Sequence, residues 1–256
     1  MAINRSVLVT RPEGQGQFIG EALRQRGWQP VFCPMLQIEP LLELSGQQRQ
    51  LIRDLAECAH VIFVSANAAR LGMECIESGW PQLPVDLQWY TVGNASAAVL
   101  ADFGVHAQQP QTEFTSEGLL ALPALQSVAG QRVLIIKGEG GRQHLQQSLQ
   151  ERGARVDELA LYRRRCPDLG KGELASIIQA GRCEAMLLSS GEGLRNMVSL
   201  LQQDELPAVQ ALVVVVPGSR VADEARELGF GRVVCAANAT DAAMIEALQQ
   251  AVASGG

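Results

Sequence analysis

The residues that could do chemistry stand in short polar clusters, each following an apolar run. Six recur: Thr10-Arg11, Ser65-Ala66-Asn67, Gly93-Asn94-Ala95-Ser96, Gly138 to Arg142, Ser189-Ser190-Gly191 and Gly218-Ser219-Arg220. Hydroxyls, amides and glycines placed where a strand meets a helix leave backbone N–H groups free, and such helix ends bind anions. In open parallel sheets, ligands collect outside the carboxyl ends of the strands. Each cluster also reads as ordinary helix capping: Asn94, Thr115 and Thr240 are good N-caps, and Ser189-x-x-Glu192 fits a capping box. The number of clusters, together with a few Arg and Lys, suits a ligand with several carboxylates.

Other chemistries find no support. Gly138-x-Gly140 needs a third glycine at 143 to make a dinucleotide fingerprint, and Gln143 stands there; no GxxxxGK[ST] is present. There is no nucleophile elbow and no evident acid pair. The six cysteines (33, 58, 75, 166, 183, 235) form no CxxC, and the three histidines show no ligand spacing with them. No metal site is expected, and the thiols read as reduced in a cytoplasm. Tyr162 is one of two tyrosines and precedes Arg163-Arg164-Arg165. Its alternatives are a packed strand residue or a site residue, and the arginines read as a solvated linker or as part of a site.

The elements that must position these groups alternate along the chain. Val133 to Ile136 is an apolar, β-branched run that ends in glycines 138, 140 and 141. Leu145 and Leu149 mark one stripe of a helix that stops at Gly153, and a second strand leads into Tyr162. That unit is a parallel crossover. The same order runs throughout: a strand at Ser6–Thr10, a helix with Pro12 in its first turn, a strand near Gln29–Cys33, and onward to a last helix opened by Thr240-Asp241. Strands alternating with helices predict a parallel α/β fold.

The chain also repeats itself. A shift of 125 carries Ser65 to Ser190, Gly93 to Gly218, Gly104 to Gly229 and Thr115 to Thr240; a shift of 126 carries Val7-Leu8 to Val133-Leu134 and Gly27 to Gly153. We expect two parallel-sheet, flavodoxin-like α/β domains from an internal duplication. The breaks fall at the proline-bearing segments, giving one domain from 1–37 plus 166–256 and one from 38–165. A two-stranded linker, with hinges near 33–40 and 160–168, would join them and leave a cleft.

Composition sets the outer limits. The chain has 256 residues, 47% hydrophobic and only 4% aromatic, so its cores must be aliphatic. The net charge of −6 argues against a nucleic-acid surface. No apolar run approaches the ~20 residues of a membrane span. The N-terminus shows no signal-peptide core, so a cytoplasmic location is expected.

Taken together, the clusters resemble the uroporphyrinogen-III synthase family over nearly the whole chain. The matching stretches are Val7-Leu-Val-Thr-Arg-Pro12, Phe63-Val-Ser-Ala-Asn67, Val92-Gly-Asn-Ala-Ser-Ala97, Lys137 to Arg142 with Leu145, Gly153 and Tyr162, Leu188-Ser-Ser-Gly191 and Pro217-Gly-Ser-Arg-Val-Ala222. Each is short; their joint order is the specific signal. The resemblance implies a cofactor-independent lyase, a monomer acting on a linear tetrapyrrole. Hydroxymethylbilane, with eight carboxylates, would close to uroporphyrinogen III with loss of water and inversion of ring D, in the cleft between the domains. Tyr162 matches the family tyrosine implicated in water loss, which is general-acid work. Ser65, Ser96, Ser189, Ser190 and Arg142 match cleft positions. The chain departs at Val221, where relatives carry a hydroxyl residue, and Ser219 is a candidate replacement. The competing class is a non-enzymatic bilobed polycarboxylate-binding protein or sensor.

Overall fold

The computed structural model describes residues 5–141 and 143–253. The first elements are β1 (Arg5–Val9), α1 (Gln17–Arg24), β2 (Trp28–Phe32), β3 (Gln37–Pro40), α2 (Gly46–Arg53), β4 (His60–Phe63), α3 (Ala66–Gly79), β5 (Gln88–Thr91) and α4 (Asn94–Asp102). Then come α5 (Ser116–Leu120), α6 (Pro123–Gln126), β6 (Arg132–Gly138), α7 (His144–Glu151), β7 (Arg155–Arg165), α8 (Glu173–Ala180), β8 (Cys183–Leu187) and α9 (Gly191–Leu200). The last are α10 (Leu206–Gln210), β9 (Val213–Val216), α11 (Ser219–Glu227), β10 (Arg232–Cys235) and α12 (Asp241–Ala253).

The chain divides into two compact units: Met1–Gln37 with Arg165–Gly256, and Ile38–Arg164. The first is built on a five-stranded sheet ordered β10-β9-β8-β1-β2, the second on one ordered β3-β7-β6-β4-β5. The pairings β1–β2, β1–β8, β8–β9 and β9–β10 are parallel, as are β4–β5, β4–β6 and β6–β7.

Each sheet is buried on both faces, which is why its central strands read as unbroken apolar runs. Successive side chains point to opposite faces. In the second unit Val61, Phe63, Leu134 and Ile136 join a core with α3, while Ile62, Val133 and Ile135 join another with Leu119, Leu145 and Leu149. In the first unit Leu8, Val214 and Val216 meet α9, and Val7, Val9, Val213 and Val215 meet α12. Among the described residues no helix is long and apolar enough to cross a membrane.

Several local expectations are corrected. Pro12 does not open a helix: its carbonyl accepts from Gln15 N–H (3.0 Å) in a turn, and α1 starts later, after Gly16. The cap of α4 is Gly93, in extended conformation, with Asn94 the first helical residue. The cap of α9 is Ser190 rather than Ser189, accepting from Gly193 N–H at 3.0 Å. Thr115 caps α5 as its sequence suggests.

Candidate active site

In parallel sheets all strands end on one side, so the polar clusters of each unit gather at one edge. In the second unit the carboxyl ends of β4 and β6 lie side by side. Ser65 follows β4 and caps α3, its Oγ accepting the Ala68 N–H at 3.0 Å. Tyr162, in β7, is paired in register with Gly138 at the end of β6. Its hydroxyl lies 2.9 Å from Ser65 Oγ, and the residue is 3% exposed. A serine at a helix start and the phenol thus share one hydrogen bond across the sheet edge.

Gly138 makes this possible. A Cβ built on it would lie 2.6 Å from Tyr162 Cε2 and 2.7 Å from Cζ, far inside carbon–carbon contact. Its φ is not among the positive ones, so the glycine answers a close approach rather than a turn. The sequence singled out Gly138 as a ligand contact; the structure fills its missing side chain with the Tyr162 ring.

Other candidates in this unit meet other surroundings. Lys137 Nζ donates to Glu158 Oε1 at 2.8 Å. Ser96 is buried in the first turn of α4, where its N–H donates to the Gly93 carbonyl at 3.0 Å, while Asn94 is exposed and Asn67 half-buried. Arg142 lies outside the described residues. The sequence reading passed over Phe114, an exposed aromatic (44%) that a Cβ on Gly93 would touch at 3.6 Å. Only its apolar character beside a polar cluster could have marked it.

The first unit presents a matching set at its own edge. Ser189 is half-buried, and Gly191 is buried with its Cβ direction aimed at Glu224. Gly218 caps α11, while Ser219 and Arg220 are exposed and Val221 is buried. Thr10 is buried and donates to the Leu187 carbonyl at 2.8 Å. Arg11 pairs with the Asp241 carboxylate and donates to the Ala239 carbonyl at 3.0 Å. Thr10 and Arg11 therefore tie β1 to its neighbours.

Burial pushes the Cys58 and Cys183 thiols up to about 11. Among the described residues there is no group of three His, Cys, Asp or Glu that could hold a metal ion.

Parallel α/β units with serine-capped helices at the strand ends, one serine bonded to a phenol, define the class: an α/β protein with polar sheet edges. Solved structures share the fold. A mutant uroporphyrinogen III synthase from the extremely thermophilic bacterium Thermus thermophilus matches with TM-score 0.62 at 18% identity, over 98% of this chain and 99% of that one. The uroporphyrinogen-III synthetase of Helicobacter pylori 26695 matches with TM-score 0.62 at 13% identity, over 96% and 99%. By sequence, the uroporphyrinogen-III synthase of Escherichia coli (strain K12) is 32% identical over 250 residues, covering 95% of this chain and 100% of that protein. The synthase of Synechococcus elongatus is 30% identical over 240 residues, covering 90% and 89%. The family model described as uroporphyrinogen-III synthase HemD matches residues 17–246. The chain belongs to the uroporphyrinogen-III synthase family, an enzyme family, and the non-enzymatic binder is not favoured.

Proposed function

We propose that the chain closes hydroxymethylbilane to uroporphyrinogen III, with loss of water and inversion of ring D. The observation that carries this reading is the Tyr162 phenol, 2.9 Å from Ser65 at the start of α3, in a chain of this family. A phenol can act as general acid. Tyr162 gives its proton to the hydroxymethyl oxygen, the C–O bond breaks, and water leaves an azafulvene cation. The substituted carbon of ring D attacks, and the resulting spiro-pyrrolenine fragments and recloses.

The substrate carries eight carboxylates and the chain a net charge of −6, so recognition falls to local groups. Our proposed carboxylate-binding set is Arg142, Asn67, Asn94, Ser96, Ser189, Ser219 and Arg220. Thr10, Arg11 and Lys137 support the edge through their own partners. The activity needs neither metal nor cofactor, and the protein works as a monomer in the cytoplasm.

We also infer an internal duplication with exchanged first strand units. A shift of 125 places β5 (Gln88–Thr91) on β9 (Val213–Val216). The lone parallel bridge Tyr90–Gln108 then corresponds to the pairing of β9 with β10. β1 lies beside β8 as β6 lies beside β4. The two chain crossings, near Gln37 and Arg165, form a two-stranded linker.

The test is incubation with hydroxymethylbilane without added cofactor or metal, followed by chromatography of the oxidised products. Mainly the type III isomer is expected, unchanged by EDTA. Type I alone, as buffer gives, would refute the proposal.

A further inference from the structure

Ser65 makes two hydrogen bonds with one oxygen. Its Oγ accepts the Ala68 N–H at 3.0 Å and lies 2.9 Å from Tyr162 Oη. A serine hydroxyl has one proton and two acceptor sites. With one acceptor site taken by Ala68, the proton remains available for the phenol oxygen. In that direction the phenol keeps its own proton for a third atom. In the opposite direction the phenol spends its proton on Ser65 and has none to deliver.

The first unit supplies a comparison within the molecule. Ser190 starts α9 in the same way, accepting from Gly193 N–H at 3.0 Å. The shift of 126 that aligns the repeats places Leu36 where the second unit has Tyr162. Starting a helix at this edge therefore needs no phenol, and the Ser65–Tyr162 contact is an addition to the cap. Helix α3 runs 14 residues from Ser65, so the serine sits at the positive end of a substantial dipole.

We infer that Ser65 is a positioning residue for Tyr162: it donates to the phenol oxygen, directs the phenolic proton toward the departing hydroxyl, and stabilises the phenolate left behind. This rests on the general-acid reading of Tyr162. In the step, the Tyr162 O–H bond breaks as its proton passes to the hydroxymethyl oxygen, and the C–O pair leaves with that oxygen as water. The negative charge on the phenol oxygen balances the azafulvene cation. Ser65 makes and breaks no covalent bond; its donated hydrogen bond strengthens as charge develops, which is transition-state stabilisation.

The experiment uses Ser65→Gly, because glycine is tolerated at an N-cap where alanine is not. A hydrogen bond to a developing charge predicts a kcat about 10- to 100-fold lower, with KM within a few-fold and an unfolding midpoint near that of wild type. Ser65→Thr keeps the hydroxyl and should restore most of the rate. In a Tyr162→Phe background, Ser65→Gly should cost nothing further, since residues acting as a unit are not additive. A Ser65→Gly kcat within twofold of wild type overturns the inference while leaving the acid role of Tyr162 intact. So do losses that multiply in the double variant, or a rise in KM alone, which would make Ser65 a substrate contact. A fully active Tyr162→Phe overturns the acid assignment, and this inference with it.

Discussion

Replacing Gly138 by alanine should slow the enzyme by moving one ring. The new Cβ would arrive 2.6 Å from Tyr162 Cε2 and 2.7 Å from Cζ. Carbon atoms settle at about 3.5–4.0 Å, so the ring must retreat by roughly 1 Å. The backbone is not in the left-handed region at this position, so alanine adds no strain of its own. The residue is 3% exposed and belongs to the same buried core as Leu159, Leu161 and Phe63, so the shift meets a filled core. Overpacking of that kind costs about 1–3 kcal/mol of stability. The catalytic cost is larger in proportion, because a 1 Å misplacement of a reacting group can lower a rate on the order of 10²-fold. The phenol also leaves its 2.9 Å contact with Ser65. Steady-state cyclisation assays should show kcat about 10- to 100-fold lower with KM little changed, and far-UV circular dichroism should match wild type. A folded Gly138→Ala protein with kcat within twofold of wild type would refute the argument that Gly138 exists to seat the ring.

Other outcomes can be read with standard assays. Tyr162→Phe should fold normally and lose about 10²- to 10⁴-fold in kcat; activity within a few-fold of wild type removes it from the mechanism. Arg142→Ala should raise KM more than it lowers kcat, since carboxylates are bound alike before and after closure; an unchanged KM points to other basic residues. Cys166 and Cys235 are exposed, whereas burial holds the Cys58 and Cys183 thiols up to about 11. Alkylation at pH 8, read by mass spectrometry, should mark Cys166 and Cys235 and spare Cys58 and Cys183 until the protein unfolds. The same thiols have folded values above their ordinary 9.0, so their contribution to stability is full below pH 9 and is lost as pH rises toward about 11. Urea midpoints should fall across that window, and Cys58→Ala/Cys183→Ala should flatten the fall.

The alternation of strands and helices was legible because parallel strands buried on both faces are written as runs such as Val213–Val216 and Val133–Ile136. Helix starts were not legible to the residue: α1 begins only after Gly16, well past Pro12. Gly93 and Ser190 are the caps because their backbones are the extended ones, and sequence does not distinguish them from Asn94 and Ser189. The clusters were found, but not which members are already occupied. Arg11 meets Asp241, and Lys137 meets Glu158, through pairings that only the folded sheets create. Gly138 was visible as a glycine at a strand end. Its reason, a ring from the neighbouring strand, depends on the irregular register that sets Tyr162 opposite it.

The discontinuous unit has a consequence for synthesis. β1 lies between β2 and β8, so half of its edge pairing waits for Cys183–Leu187 to be made. At roughly 5–20 residues per second that delay is on the order of ten seconds. The Ile38–Arg164 unit meanwhile emerges in one uninterrupted stretch and can close its sheet first. A newborn chain thus carries a finished unit behind an unfinished strand pair whose open edge invites other chains. The time taken to translate from Phe32 to Leu187 then sets how long that edge stays open.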